Sequence, residues 1–97
     1  MSIKFQTLYR VSVLLVTYNH EYYIHQALKA LLGQVFDGLI EIVVADDASS
    51  DNTLAIIKSY EGKDERFVFK YLDNVENLGI TKNYQRGFNA STGEYVL

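Results

Sequence analysis

Residues 40–53 read Ile40-Glu41-Ile42-Val43-Val44-Ala45-Asp46-Asp47-Ala48-Ser49-Ser50-Asp51-Asn52-Thr53. An apolar, largely β-branched run meets two adjacent aspartates and then a turn rich in hydroxyls and acids. Ile40 to Ala45 reads as a strand buried on both faces, the pattern of a parallel sheet. Ser49, Ser50 or Asp51 is expected to cap a helix from about Asn52 to Tyr60, with Leu54, Ile57 and Tyr60 on one face.

Working outward, Val11 to Val16 (VSVLLV) is a second run of the same kind. Thr17-Tyr18-Asn19 breaks it, and Asn19 is expected to cap a helix over Glu21 to Gln34. There Ile24, Ala27, Leu28, Leu31 and Leu32 recur at helical spacing, and Gly33 marks the stop. This strand–helix–strand unit covers about 35 residues, the size of a βαβ crossover. Downstream, Phe67 to Leu72 reads as a third strand and Asp73 to Gly79 as a loop. A third helix is expected from Ile80 to Asn89, with Ile80, Tyr84 and Phe88 aligned. Tyr95 to Leu97 opens a fourth strand. The order β-α-β-α-β-α-β predicts an α/β fold with a mainly parallel sheet in one unit, residues 1–97.

Composition narrows the function. The chain is 48% hydrophobic, enough to build a core. Its net charge of −3 argues against a nucleic-acid backbone as partner. It has no cysteine, which removes disulfides, thiolate chemistry and zinc–cysteine sites. Nothing in Met1 to Arg10 reads as a signal peptide, and no apolar run is long enough to span a bilayer, so a cytoplasmic protein is expected. The chain stops at what reads as a strand opening, so more protein is expected beyond Leu97.

In open α/β sheets, ligands bind outside the carboxyl ends of the strands. The loops after the first two strands therefore carry the candidate site. For Asp46 and Asp47 the bland reading is solvation or capping, but Ser49, Ser50 and Asp51 already offer caps. That leaves the pair to accept hydrogen bonds from a base imide or ribose hydroxyls. Tyr18 offers a ring for stacking, or is an ordinary rim aromatic. Asp47-x-Ser49-x-Asp51 imitates a calcium loop but fails it, since Asn52 stands where glycine is needed and Lys58 where the bidentate Glu belongs. His20 and His25 are five apart and read as surface residues. Gly79 suits a positive φ at the start of the third helix. Lys82 and Arg86 share a helix face that is either solvated or, for Lys82, turned toward a phosphate.

Three stretches in register, VSVLLVTYNHEYYIHQALKALLGQ, IEIVVADDASSDNT and NLGITKNYQRGFNASTGEYVL, resemble the inverting family 2 glycosyltransferases of GT-A fold. The resemblance implies a Rossmann-like three-layer α/β/α domain, of which this chain is the nucleotide-sugar-binding half, cut near its fourth strand. By position, Tyr18 matches the residue lying against the base, and Asp47, with Asp46 beside it, the carboxylate that hydrogen-bonds the base. Thr17 and Asn19 complete that loop. Asn77, Gly79 and Lys82 match the segment near the base and sugar-phosphate. The implied partners are a nucleoside-diphosphate sugar and a glycan or lipid-linked acceptor. The implied cofactor is Mg or Mn on an Asp-x-Asp motif expected beyond Leu97, so no metal and no catalytic residue is expected within these 97 residues. The missing regions are where any membrane association would arise.

Three departures stand out: Val16 where proline is common, Ala48 where glycine is common, and Asn83-Tyr84-Gln85 where many members carry Ala-Arg-Asn. Ala48 must avoid a positive φ or tolerate strain. A dinucleotide-binding oxidoreductase is disfavoured because Thr17 to Tyr23 contains no glycine. A receiver-like signalling domain would place its acidic pair after the first strand. A non-catalytic nucleotide-binding or protein-interaction module of the same fold stays open. Self-association through an exposed sheet edge is also expected.

Overall fold

A computed structural model of the chain describes residues 9–34, 38–72 and 76–97. It contains β1 (Val11–Thr17), α1 (Ile24–Leu32), β2 (Ile40–Asp46), α2 (Thr53–Ser59), β3 (Phe67–Leu72), α3 (Ile80–Ala90) and β4 (Tyr95–Val96). The strands form one sheet in the order β3-β2-β1-β4, and every neighbouring pair is parallel. The α/β reading and all seven elements hold, with ends shifted by a few residues. The first part of the expected Asp73–Gly79 loop, residues 73–75, lies outside the described residues. Among the described residues, no helix is long and apolar enough to cross a membrane.

Alternation along the strands gives the sheet two different faces. On one, Val11, Ile40, Ile42, Val44 and Phe67 meet Ile24 and Leu28 of α1 and Ile57 of α2. Val13, Leu15, Leu54, Tyr60 and Phe69 extend this cluster. The aliphatic core sits here, and the helical spacing read from the sequence points the right residues into it. Helix α1 starts three residues later than expected. Asn19 does not cap it, because its side chain is committed to Ser50; the N-cap position falls on Tyr23, which makes no side-chain cap bond.

The other face is built differently. Ile80, Tyr84 and Phe88 of α3 do align, but they point outward, at 79%, 54% and 53% exposure. The buried residues of α3 are Asn83 and Gly87. A β-carbon at Gly87 would lie 3.5 Å from Ala45 Cβ and 3.6 Å from Leu14 Cδ2, so the helix sits about a methyl group above the sheet. The Asn83 Nδ2 donates to the carbonyl of Ala45 at the floor of this contact. A close approach over small residues selects the polar, short stripe of α3 and leaves its bulky apolar stripe outside.

Polarity on this face originates in Glu41, the second residue of β2, with its side chain only 1% exposed. Its Oε1 accepts from Ser12 Oγ at 2.7 Å and from the Thr92 backbone N–H at 2.8 Å. Its Oε2 accepts from Thr92 Oγ1 at 3.0 Å and pairs with Lys70 Nζ at 2.8 Å. Burial by itself would raise the pKa of this carboxyl. The donors from Lys70, Ser12 and Thr92 outweigh burial and bring it from 4.5 down to about 2. One carboxylate thereby joins β1, β2, β3 and the 91–93 turn. Ser12 Oγ also accepts from the Gly93 N–H at 2.7 Å. A β-carbon on Gly93 would fall 2.5 Å from Ser12 N, so only glycine can bring β4 alongside β1 here.

Replacing Glu41 by Gln is expected to cost about 2 kcal/mol at neutral pH, because two donors lose their charged acceptor. Urea denaturation reads this directly. The folded pKa is depressed, so the carboxylate's contribution is complete above about 4.5 and is lost as pH falls through about 2. The gap between wild type and Glu41→Gln should therefore close across that window. A gap independent of pH would show that Glu41 is not held ionised.

Candidate functional site

Strands β1 and β2 end side by side, with Thr17 opposite Asp46. Here the side chains of the second loop fasten the backbone of the first. Asp46 is buried: its Oδ1 accepts from Thr17 Oγ1 at 2.8 Å and from Ser49 Oγ, and its Oδ2 from Ser49 N at 2.9 Å. Ser49 Oγ in turn accepts from Asn19 N at 2.9 Å, while Asn19 Oδ1 accepts from Ser50 N at 2.9 Å. The His20 N–H donates to Thr53 Oγ1 at 2.8 Å, and the Glu21 N–H to Asp51 Oδ2 at 3.2 Å. Asp51 Oδ1 accepts from both the N–H and the hydroxyl of Thr53. Desolvation opposes ionisation of Asp51, but the Thr53 and Glu21 donors hold its pKa below the ordinary value.

These contacts correct the capping argument. Ser49 and Ser50 do not cap α2. They lace the two loops together, and the N-cap position, Asn52, makes no side-chain cap bond. Only Asp51 serves the start of that helix, through Thr53. Asp46 and Asp47 are not spare either, since each is tied into the protein.

Asp47 is the member of the pair that faces a cavity. Its backbone N–H continues the ladder to the Thr17 carbonyl at 2.8 Å. Its carboxylate turns to the start of α3, accepting from Leu78 N at 2.7 Å and Gly79 N at 3.0 Å. Gly79, with φ at 87°, is the N-cap residue and has no side chain to offer. Asp47 therefore places the negative charge that a helix N-terminus favours. Asn77 Oδ1 shares the Gly79 N–H, and Asn77 Nδ2 donates to the Asp47 carbonyl. Each carboxylate oxygen carries two lone pairs and can accept more than one donor.

The cavity is a cleft of about 420 Å³ over this end of the sheet, within the size range of small-molecule sites. Val16, Thr17, Tyr18 and His20 form the β1 side, Asp47 the floor, and Asn77, Gly79, Ile80 and Asn83 the α3 side. Tyr18 is half exposed there. Of the residues singled out from sequence, Thr17, Tyr18, Asp47, Asn77 and Gly79 meet in the cleft. Asn19 and Asp46 support it from behind, and Lys82 is exposed on α3 outside its lining. Sequence reasoning missed His20, Val16, Ile80 and Asn83. For His20 the signal was its place in the loop leaving β1; for Asn83 it was a polar residue on the buried side of α3. Among the described residues, no group of three or more His, Asp or Glu could hold a metal ion.

Comparison with known proteins places this geometry in a family. The profile of glycosyl transferase family 2 matches residues 12–97. A Campylobacter jejuni GalNAc(5)-diNAcBac-PP-undecaprenol beta-1,3-glucosyltransferase is 31% identical over 90% of this chain and 28% of its own. S. aureus TarS 1–349, solved in complex with UDP, is 34% identical with a TM-score of 0.80, over 91% of this chain and 26% of its own. The same protein in complex with UDP-GlcNAc gives 35% and 0.76, over 91% and 25%. A Pyrobaculum calidifontis mannosyltransferase in complex with GDP-Man and Mn2+, 23% identical with a TM-score of 0.76, shares the fold over 90% of this chain and 26% of its own. The chain thus spans about a quarter of the length of these relatives.

Two residues at the rim hold positive φ without being glycine: Asn19 at 52° and Ala48 at 57°. Asparagine tolerates this region, whereas alanine pays about 1–2 kcal/mol for it. Ala48 thus takes the strained alternative anticipated from its sequence. Ala48→Gly is expected to stabilise the chain by about 0.5–1 kcal/mol, the steric relief exceeding glycine's extra unfolded-state entropy. A thermal melt checks this; an unchanged or lower midpoint would show that the turn carries no such strain.

Proposed function

This chain belongs to glycosyl transferase family 2, and from that premise we propose that it is the nucleotide-binding part of an enzyme that moves a sugar from a nucleoside-diphosphate sugar to an acceptor hydroxyl, with inversion. The observation that carries the reading is Asp47, a buried carboxylate that lines a cleft at the carboxyl ends of β1 and β2 together with Tyr18. An ionised carboxylate there accepts the imide N–H of uracil, thymine or guanine; adenine has no imide proton and offers only its exocyclic N6 amine. Tyr18 supplies the face on which such a base stacks. Thr17, Asn77 and Gly79 set the width of the slot. Asn19 and Asp46 act one step removed, by holding the loops that form it. Lys82 reaches the phosphates only if its side chain swings back along α3.

A divalent metal is implied by the family resemblance, and the residues present do not fit one. Asp46 has both oxygens taken by Thr17 and Ser49, and among the described residues no group of three or more His, Asp or Glu could hold a metal ion. The contribution of these residues is binding and orientation of the donor. Metal ligands, the catalytic base and the acceptor site belong to sequence outside the 97 residues, and the chain alone is expected to bind nucleotide without turnover.

Calorimetric titration with UDP, dTDP, GDP and ADP tests the proposal. One of the first three should bind more tightly than ADP, which lacks the imide donor. Tyr18→Ala is expected to weaken binding about tenfold through lost stacking, and Asp47→Asn by at least as much. A melt of each variant separates lost contacts from lost folding, since Asp47 also anchors α3. Equal binding of ADP and UDP, or wild-type affinity in folded Asp47→Asn, would overturn the base-recognition role.

A further inference from the structure

Among the described residues, the lining of the cleft holds no lysine or arginine, and Asp47 is its one carboxylate. A nucleoside diphosphate nevertheless brings two or more negative charges with it. Among the lining residues, the His20 ring offers a nitrogen-borne donor beside the Tyr18 hydroxyl. His20 stands on the wall shared by the main cleft and a smaller apolar one of about 170 Å³ formed with Tyr23, Ile24 and Ala27. Its backbone is held by Thr53 Oγ1. Its Nδ1 lies 3.0 Å from the Tyr18 backbone N–H and accepts from it. That bond decides the tautomer. A ring nitrogen that accepts carries no proton, so in the neutral ring the proton is on Nε2. Nε2 has no partner among the described residues.

We propose that His20 is the phosphate-side donor of this cleft, its Nε2–H fixed by the Tyr18 backbone and directed to an oxygen of the bound diphosphate. The proposal rests on the nucleotide-binding reading above. It also links the two ends of the ligand. Tyr18 meets the base with its ring, and its backbone N–H orients the group that meets the phosphates. The base and the diphosphate are thereby registered against one short loop.

Titrations of the whole chain with UDP and with uridine test this, together with a long-range nitrogen–proton NMR correlation of the His20 ring. The Nε2–H tautomer is expected, with Nδ1 unprotonated. His20→Ala should weaken UDP binding about tenfold, the usual effect of removing a hydrogen bond to a charged group, and leave uridine within about twofold of wild type. His20→Gln, which returns an N–H donor at similar reach, should recover part of the UDP affinity. An Nδ1–H tautomer would overturn the proposal. So would equal losses for UDP and uridine, which would make His20 a support for Tyr18 alone, and so would unchanged UDP affinity in His20→Ala. Failure of wild type to bind UDP, dTDP or GDP would instead remove the nucleotide reading itself and this inference with it.

Discussion

A charge inside a sheet must be solvated by protein, and Glu41 sets that requirement for the whole molecule. Water cannot reach it, so Ser12, Lys70 and Thr92 stand in for water, one donor group from each neighbouring segment. The face of the sheet that holds these groups cannot also be an aliphatic core. The main aliphatic cluster accordingly lies on the other face, under α1 and α2. What settles over the polar face is a helix that approaches closely through Gly87 and makes a hydrogen bond through Asn83. The cleft exists because α3 sits this low at one end of the sheet, with its first residues tied down by Asp47.

Three carboxylates within six residues do three different jobs, and parity along the strand separates two of them. Asp46, opposite Thr17, is the knot that binds the second loop to the end of β1. Asp47, one residue on, faces the opposite way, toward α3 and the cleft. Asp51 serves the backbone of Glu21 and the start of α2. The site is therefore rigid behind and open in front. Most of its polar groups are spent on one another, and what lines the cleft in front is the Asp47 carboxylate, the Tyr18 ring and the His20 ring.

The fold was legible because its signals are local and repeated. Unbroken β-branched runs such as Val11 to Val16 and Ile40 to Ala45 mark strands buried on both sides, and the spacing of Ile24, Leu28 and Leu31 marks one face of α1. The pairing of Thr17-Tyr18-Asn19 with the acidic turn was legible too, because adjacent parallel strands bring their following loops together. What escaped was everything that depends on which partner lies opposite. Ile80, Tyr84 and Phe88 look like a buried stripe until the sheet beneath α3 turns out to be small and polar. Glu41 was read as part of an apolar strand, though a lone acid amid five aliphatics is the mark of an internal ion pair. Ser49, Ser50 and Asn19 were read as caps for their own helices. A hydroxyl or amide near a helix start can equally bond across to another loop, and sequence distance alone does not say which wins.

Strand β1 is held on one side by β2 and on the other by β4, and that second partner comes from the far end of the chain. Parallel strands cannot close by a hairpin, so during synthesis β1 waits with a bare edge while α1, β2, α2, β3 and α3 are made. At roughly 5–20 residues per second, that wait lasts several seconds. An unpaired edge of valines and leucines is an invitation to foreign strands throughout it. The Gly93 contact on Ser12 is the last piece to seat, since its backbone has room only against a β1 already aligned with β2. The emerging chain is thus vulnerable to mispairing until β4 arrives, and the glycine that permits the closest backbone contact is the one that ends the exposure of β1.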